Sequence, residues 1–136
     1  MAPYLFTRRI FEGKQLTMFG DGSSQRDYTY IDDVVQGVVA ALDADLPYEI
    51  INLGNSQTVS LKDFISVVEA EVGAPARIVQ VETQPGDVPL TSADIRKARR
   101  LLGYEPQTDV REGMGRFVAW YREEVLGQRD RLSAGT

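Results

Sequence analysis

Short stretches with helical spacing alternate along this chain with short apolar runs, and Gly, Pro, Ser or Asp closes almost every one of them. That alternation constrains the fold more than any other feature: it excludes a long bundle or an all-strand sandwich and specifies mixed α/β. Residues 4–12 read as a first helix ended by Gly13, residues 16–19 as a strand, and residues 20–24 as a turn. Residues 26–30, with Tyr28, Thr29 and Tyr30, read as extended. Asp32 or Asp33 is the expected cap of a helix over residues 34–42, whose Val34, Val35, Val38, Val39 and Leu42 make a stripe wide enough to need cover on more than one side. Residues 48–53 read as a buried strand closed by Gly54 and Asn55.

Ser60, with Asp63 three residues on, opens a third helix whose buried face is Leu61, Phe64, Ile65, Val68 and Val72. Gly73 and Pro75 stop it. Residues 76–81 read as another strand, and residues 82–92 lack any period. Asp94 caps a short helix with Ile95, Ala98, Leu101 and Leu102 inward. Thr108 is the expected cap of a last helix carrying Val110, Met114, Phe117, Val118, Tyr121 and Val125 on one face. The expected organisation is one domain over residues 1–126 and a frayed polar tail over residues 127–136.

The 136 residues include no histidine and no cysteine. This excludes a thiol nucleophile, a Ser-His-Asp triad, an imidazole acid-base group and a Cys/His zinc site. No calcium-loop spacing occurs, and no metal site is expected. Fifteen basic against twenty acidic residues give a net charge of −5, which argues against nucleic acid as a partner. The cluster Arg96, Lys97, Arg99 and Arg100 reads as a solvated helix face. With no membrane-length apolar run and no signal-peptide core, the expectation is a soluble cytoplasmic domain.

The turn Gly20-x-Gly22-x-x-Gln25 approaches a dinucleotide fingerprint, but an aromatic extended segment follows it where a helix N-terminus must bind pyrophosphate. A connecting turn is the better reading. Arg26, between that turn and the aromatic segment, has two readings: a surface ion pair with Asp27 or Asp33, or a planar fork that grips a phosphate.

The strings FGDGSSQRDYTYIDDVVQG, YEIINLGNSQTVSLKDFI and QPGDVPLTSADIRKARRLLGYEPQTDVREGMGRFVAWYRE together resemble the C-terminal part of extended short-chain dehydrogenase/reductases that act on nucleotide sugars, most of all the UDP-glucuronate 4-epimerase branch. The resemblance implies a mixed α/β substrate-binding domain without most of the Rossmann domain, and a UDP-sugar as ligand. It implies that Arg26 contacts the diphosphate, that Thr17, Met18 and Phe19 line the uracil largely through backbone groups, and that Asp87 bonds the ribose. Gln84 stands where many relatives carry an arginine that reaches the diphosphate. Tyr28 is a candidate wall of the pocket.

In that family NAD is held, and the Tyr-x-x-x-Lys pair supplied, by an N-terminal Rossmann half. No tyrosine here has lysine four residues on, so no catalytic residue and no cofactor site is expected within this chain, and alone it is expected to be inactive. The resemblance also assigns residues 34–42 and 48–53 to the Rossmann side. Pairing with such a half, or a homo-oligomer, is therefore expected. The rival reading is a protein-association module with a vestigial sugar site.

Overall fold

The computed structural model describes residues 2–128; most of the expected polar tail lies outside the described residues. Five α-helices and four short strands follow one another as α1 (Ala2–Phe11), β1 (Gln15–Phe19), β2 (Gln25–Asp27), α2 (Ile31–Asp43), β3 (Thr58–Ser60), α3 (Leu61–Val72), β4 (Arg77–Val81), α4 (Arg96–Leu102) and α5 (Val110–Trp120). The last helix widens into a π-helical stretch over Tyr121–Leu126, where sequence spacing predicts an unbroken α-helix. Within that stretch, the Arg122 guanidinium donates to the Glu71 and Val72 carbonyls at 3.2 and 3.0 Å and so satisfies the open C-terminal end of α3.

The strands form two small ribbons. β1 and β4 pair in parallel, Gln15 opposite Arg77 through Phe19 opposite Val81. β2 and β3 pair antiparallel with Arg26 opposite Val59. On its other side β2 meets the stretch after Asp87: the Gln25 N–H donates to Pro89 O at 2.8 Å, and the Thr91 N–H donates to Gln25 O at 3.1 Å.

The main core lies where α1, α3, α5 and β1 converge. Phe64, Val68 and Leu16 are fully buried there, with Ile65, Val118, Ile10 and Met114 around them. The 3.6-residue period of α3 places Phe64, Ile65, Val68 and Val72 inward as expected. Ser60 caps α3 as its sequence predicts: the hydroxyl accepts from the Asp63 N–H at 3.0 Å and donates to the Asp63 carboxylate at 2.6 Å. Gly73 closes the helix in the left-handed conformation at φ 77°. A second, smaller cluster joins Ile95, Ala98 and Tyr104 to Ile51, Leu53, Ala93 and Leu102.

Three sequence expectations are corrected here. Residues 48–53 are not a strand: they pair with no other segment in a ladder, Ile51 and Leu53 pack on the smaller cluster, and Tyr48 and Ile50 are 89% and 71% exposed. An apolar run makes a strand only where a second strand supplies the ladder bonds. Asp32 and Asp33 do not cap α2, which begins after Tyr30 with no side-chain cap bond. Asp32 instead pairs with Arg116 at 3.3 Å, and Asp33 reaches across to the Gln107 and Thr108 N–H groups at 2.9 and 3.1 Å. Thr108 is buried, and it is Asp109 that caps α5 by accepting from the Glu112 N–H at 2.8 Å. Asp94 does serve the start of α4, its carboxylate accepting from the Arg96 N–H at 3.0 Å.

The exposed face of α2 follows the expectation for a helix that lacks its cover. Only Asp33 and Gly37 are buried, while Val35, Val38, Val39 and Leu42 face outward, Leu42 at 80% exposure.

Candidate functional site

The edge of β1 and the start of β2 frame a cleft of about 390 Å³. Alternation along β1 sends Leu16 and Met18 into the core and leaves Thr17 and Phe19 facing the cleft. Leu5 and Arg9 of α1 line one side, and Leu61 closes the base beside Tyr28. Arg26 enters from β2, and Asp87 faces it from the stretch 61 residues further along the chain.

Arg26 is fixed by two bonds. Its Nη1 donates to the Gln25 carbonyl at 2.8 Å, and its Nη2 donates to Asp87 Oδ1 at 2.5 Å. A guanidinium has five donors in a planar fork, so this arrangement orients the group and still leaves donors for a second anion. The side chains of Arg26 and Asp87 are 26% and 37% exposed, so they sit at the cleft wall within reach of solvent. Neither Asp27 nor Asp33, the sequence-based candidates, pairs with Arg26; side-chain alternation about β2 turns Asp27 to the opposite face.

Tyr28 stacks on Phe64 with ring centroids 4.2 Å apart. Burial pushes its phenol pKa up and outweighs the nearby Arg26 charge, which acts in the other direction. The ring is therefore a neutral, flat wall. Of the residues singled out from sequence, Arg26, Asp87, Thr17, Phe19 and Tyr28 come together. Met18 is only 8% exposed, its side chain belongs to the core, and it is not among the residues that line the cleft. Gln84 lies outside the lining: it is exposed on the preceding turn, where its carbonyl accepts from the Asp87 N–H at 3.1 Å.

Sequence reasoning missed the two acids that brace the motif around Arg26. Asp27 accepts three backbone N–H bonds from Asn55, Ser56 and Ala93, and Asp33 accepts two from Gln107 and Thr108. Asn55 links the two systems through its side-chain amide, which donates to Thr108 O at 2.8 Å. No local signal marks these bonds, because every partner of Asp27 lies at least 28 residues away.

The Gly20–Ser24 turn does not fit a dinucleotide. It leads into β2, and its groups are already engaged: Ser23 N–H with Asp21 at 2.9 Å, Ser24 O with Leu61 N–H, and Gly22 O with Lys62 N–H. Among the described residues no group of three or more acids could hold a metal ion. No helix among them is long and apolar enough to cross a membrane. In the basic cluster of α4, Arg96 pairs with Asp94, Lys97 with Glu49 and Arg99 with Glu105.

The parallel β1–β4 pair with α1 beside it, and the arginine-bearing β2–β3 ribbon, match the C-terminal part of extended short-chain dehydrogenase/reductases in superposition. UDP-glucuronic acid 4-epimerase from Bacillus cereus, solved in complex with UDP-glucuronic acid and NAD, superposes with a TM-score of 0.84 at 37% identity, over 90% of this chain and 40% of that one. UDP-glucose 4-epimerase from Thermotoga maritima, solved with UDP-glucose, gives 0.86 at 29% identity over 92% and 40%. In sequence, UDP-glucuronate 4-epimerase of Thermodesulfobacterium geofontis is 40% identical over 126 residues, which are 92% of this chain and 39% of the relative.

The family model described as GDP-mannose 4,6 dehydratase matches residues 4–117, and the chain belongs to that family of nucleotide-sugar epimerases and dehydratases, most like UDP-glucuronate 4-epimerase. It spans about two fifths of the length of the relatives it matches.

Proposed function

We propose that this chain supplies the nucleotide-holding wall of a UDP-sugar site in an NAD-dependent sugar epimerase or dehydratase. The observation that carries the reading is Arg26, presented across a cleft by Asp87 with donors to spare. A diphosphate is matched in charge and in planar, bidentate geometry by that fork. Thr17 and Phe19 then line the base, Tyr28 walls the pocket, and Asp87 offers a carboxylate to the ribose hydroxyls. Hydride transfer belongs to the nicotinamide and to residues outside this chain, and by this reading the chain does not turn over alone.

Calorimetry with UDP tests the assignment. Loss of a charge-assisted hydrogen bond removes about 1.5–3 kcal/mol, so Arg26→Ala weakens binding about tenfold or more. Equal affinity of the variant and the parent protein removes Arg26 from the site.

The outward face of α2 favours a second reading, in which the chain's role is association with another protein body. The natural occupant is the cofactor-binding half, because the relatives carry about three fifths of their length beyond the matched part. Stable association without any affinity for UDP favours this reading over the first.

A further inference from the structure

We propose that Asp27 is a positioning residue for anion capture, holding the Arg26–Asp87 pair in place through the backbone on both sides of β2. The inference rests on the reading of Arg26 as the diphosphate ligand. The Asp27 carboxylate accepts from the Asn55 N–H at Oδ1 (3.0 Å) and from the Ser56 and Ala93 N–H groups at Oδ2 (3.0 and 2.9 Å). These donors come from the two stretches that flank β2. One leads into β3, its antiparallel partner. The other carries Asp87 and then Pro89 and Thr91, which bond the backbone of Gln25.

Three further observations support a tight clamp. A side chain at Gly54 would collide with Ala93 and lie 3.1 Å from Asp27 Oδ2, so the two stretches close directly over the carboxylate. Ser56 is held at φ 62°, a left-handed conformation unusual for serine, with its N–H on Asp27. The buried Tyr104 hydroxyl donates to Gly54 O at 3.0 Å from below. Bonds from backbone N–H to an ionised carboxylate are among the stronger hydrogen bonds. Releasing Ala93 loosens the stretch that carries Asp87, and Asp87 is what orients the Arg26 fork.

The test compares Asp27→Ala and Asp27→Asn with the parent protein for UDP and for uridine by calorimetry, with amide hydrogen exchange read by NMR. Asp27→Ala is expected to weaken UDP binding about tenfold and uridine binding less, because UDP loses the contact of the fork as well as the Asp87–ribose contact, whereas uridine has only the latter to lose. Asp27→Asn keeps one carbonyl oxygen of the two acceptors and is expected to fall between. Exchange is expected to speed at Ser56, Thr91 and Ala93 and to stay unchanged at Val68 in the core.

An unchanged preference for UDP over uridine in Asp27→Ala overturns the positioning role. So does faster exchange that extends to Val68, which would mark a general loss of stability. Should Arg26→Ala also leave UDP affinity unchanged, the reading of the site itself fails, and that result is distinct from failure at Asp27 alone.

Discussion

Two regions of this molecule obey the same hydrophobic periodicity and end in opposite states. α3 carries Phe64, Ile65, Val68 and Val72 at helical spacing, and all four are buried against α1, α5 and β1. α2 carries Val35, Val38, Val39 and Leu42 at comparable spacing, and all four face outward. The period says which side of a helix wants burial, whereas burial itself requires a second surface. For α3 the surface is in this chain. α2 meets the body through its other side, where Asp32 pairs with Arg116, Asp33 accepts from Gln107 and Thr108, and Gly37 lies against Leu53 and Tyr104; a Cβ at Gly37 would come within 2.6 Å of Leu53 and 3.0 Å of Tyr104.

The sharpest way to break that comparison is to remove the centre of the first region. Phe64 is fully buried, touches the rings of Phe6 and Tyr28, and sits in the main cluster. Phe64→Ala is expected to cost about 3–5 kcal/mol in denaturant unfolding. It should also loosen Tyr28 and hence the cleft wall. A cost below about 1 kcal/mol would mean that the main core is no better packed than the α2 side.

A smaller effect is expected at the junction of the two regions. Tyr104→Phe leaves the Gly54 carbonyl without its 3.0 Å donor and is expected to cost about 1–3 kcal/mol by the same measurement. Burial pushes the Tyr104 phenol pKa up, and the Asp33 and Asp27 carboxylates push it the same way, so the hydroxyl keeps its proton and this bond at neutral pH.

Smaller again, and confined to acid, is the contribution of Glu12 at the end of α1. Lys14, at 2.8 Å, and Arg8, at 3.1 Å, hold its pKa down to about 2 from 4.5. A carboxyl depressed on folding contributes stability above its unfolded value and loses it as pH falls through the folded one. That contribution should fade between about pH 4.5 and 2, and an NMR titration of the Glu12 side chain should place its midpoint near the lower end.

How much of this was legible in the sequence divides along the same line. Local chemistry was legible: the Ser60–Asp63 cap, the left-handed Gly73 stop and the inward face of α3 all depend on neighbours within four residues. The resemblance, carried by several strings along the chain, named Arg26, Thr17, Phe19, Tyr28 and Asp87, and all five line one cleft. Bonds closed across the chain were not legible. Asp33 reads as a cap because helix starts favour acids, yet its acceptor capacity is spent 74 and 75 residues away. Residues 48–53 read as a strand because their composition is that of a buried one, and composition says nothing about whether a ladder partner is present. β3 was missed for the converse reason, since Thr58–Ser60 is extended only by pairing with β2.

The smallest expected effect on stability is also the most discriminating for the comparison. Val39→Lys combined with Leu42→Lys places two charges on the outward face of α2, at positions 49% and 80% exposed. Exposed substitutions away from special features usually change stability by no more than about 0.5 kcal/mol, so the melting temperature should hardly move. An apolar face of this kind left without cover favours self-association. Light scattering coupled to size exclusion should therefore show the parent protein associating at micromolar concentration and the double variant as a monomer. A stability loss approaching that of Phe64→Ala would show that α2 packs within the chain after all. A parent protein that stays monomeric would remove the association reading while leaving the Arg26 cleft untouched, because the two faces share none of the residues on which either argument depends.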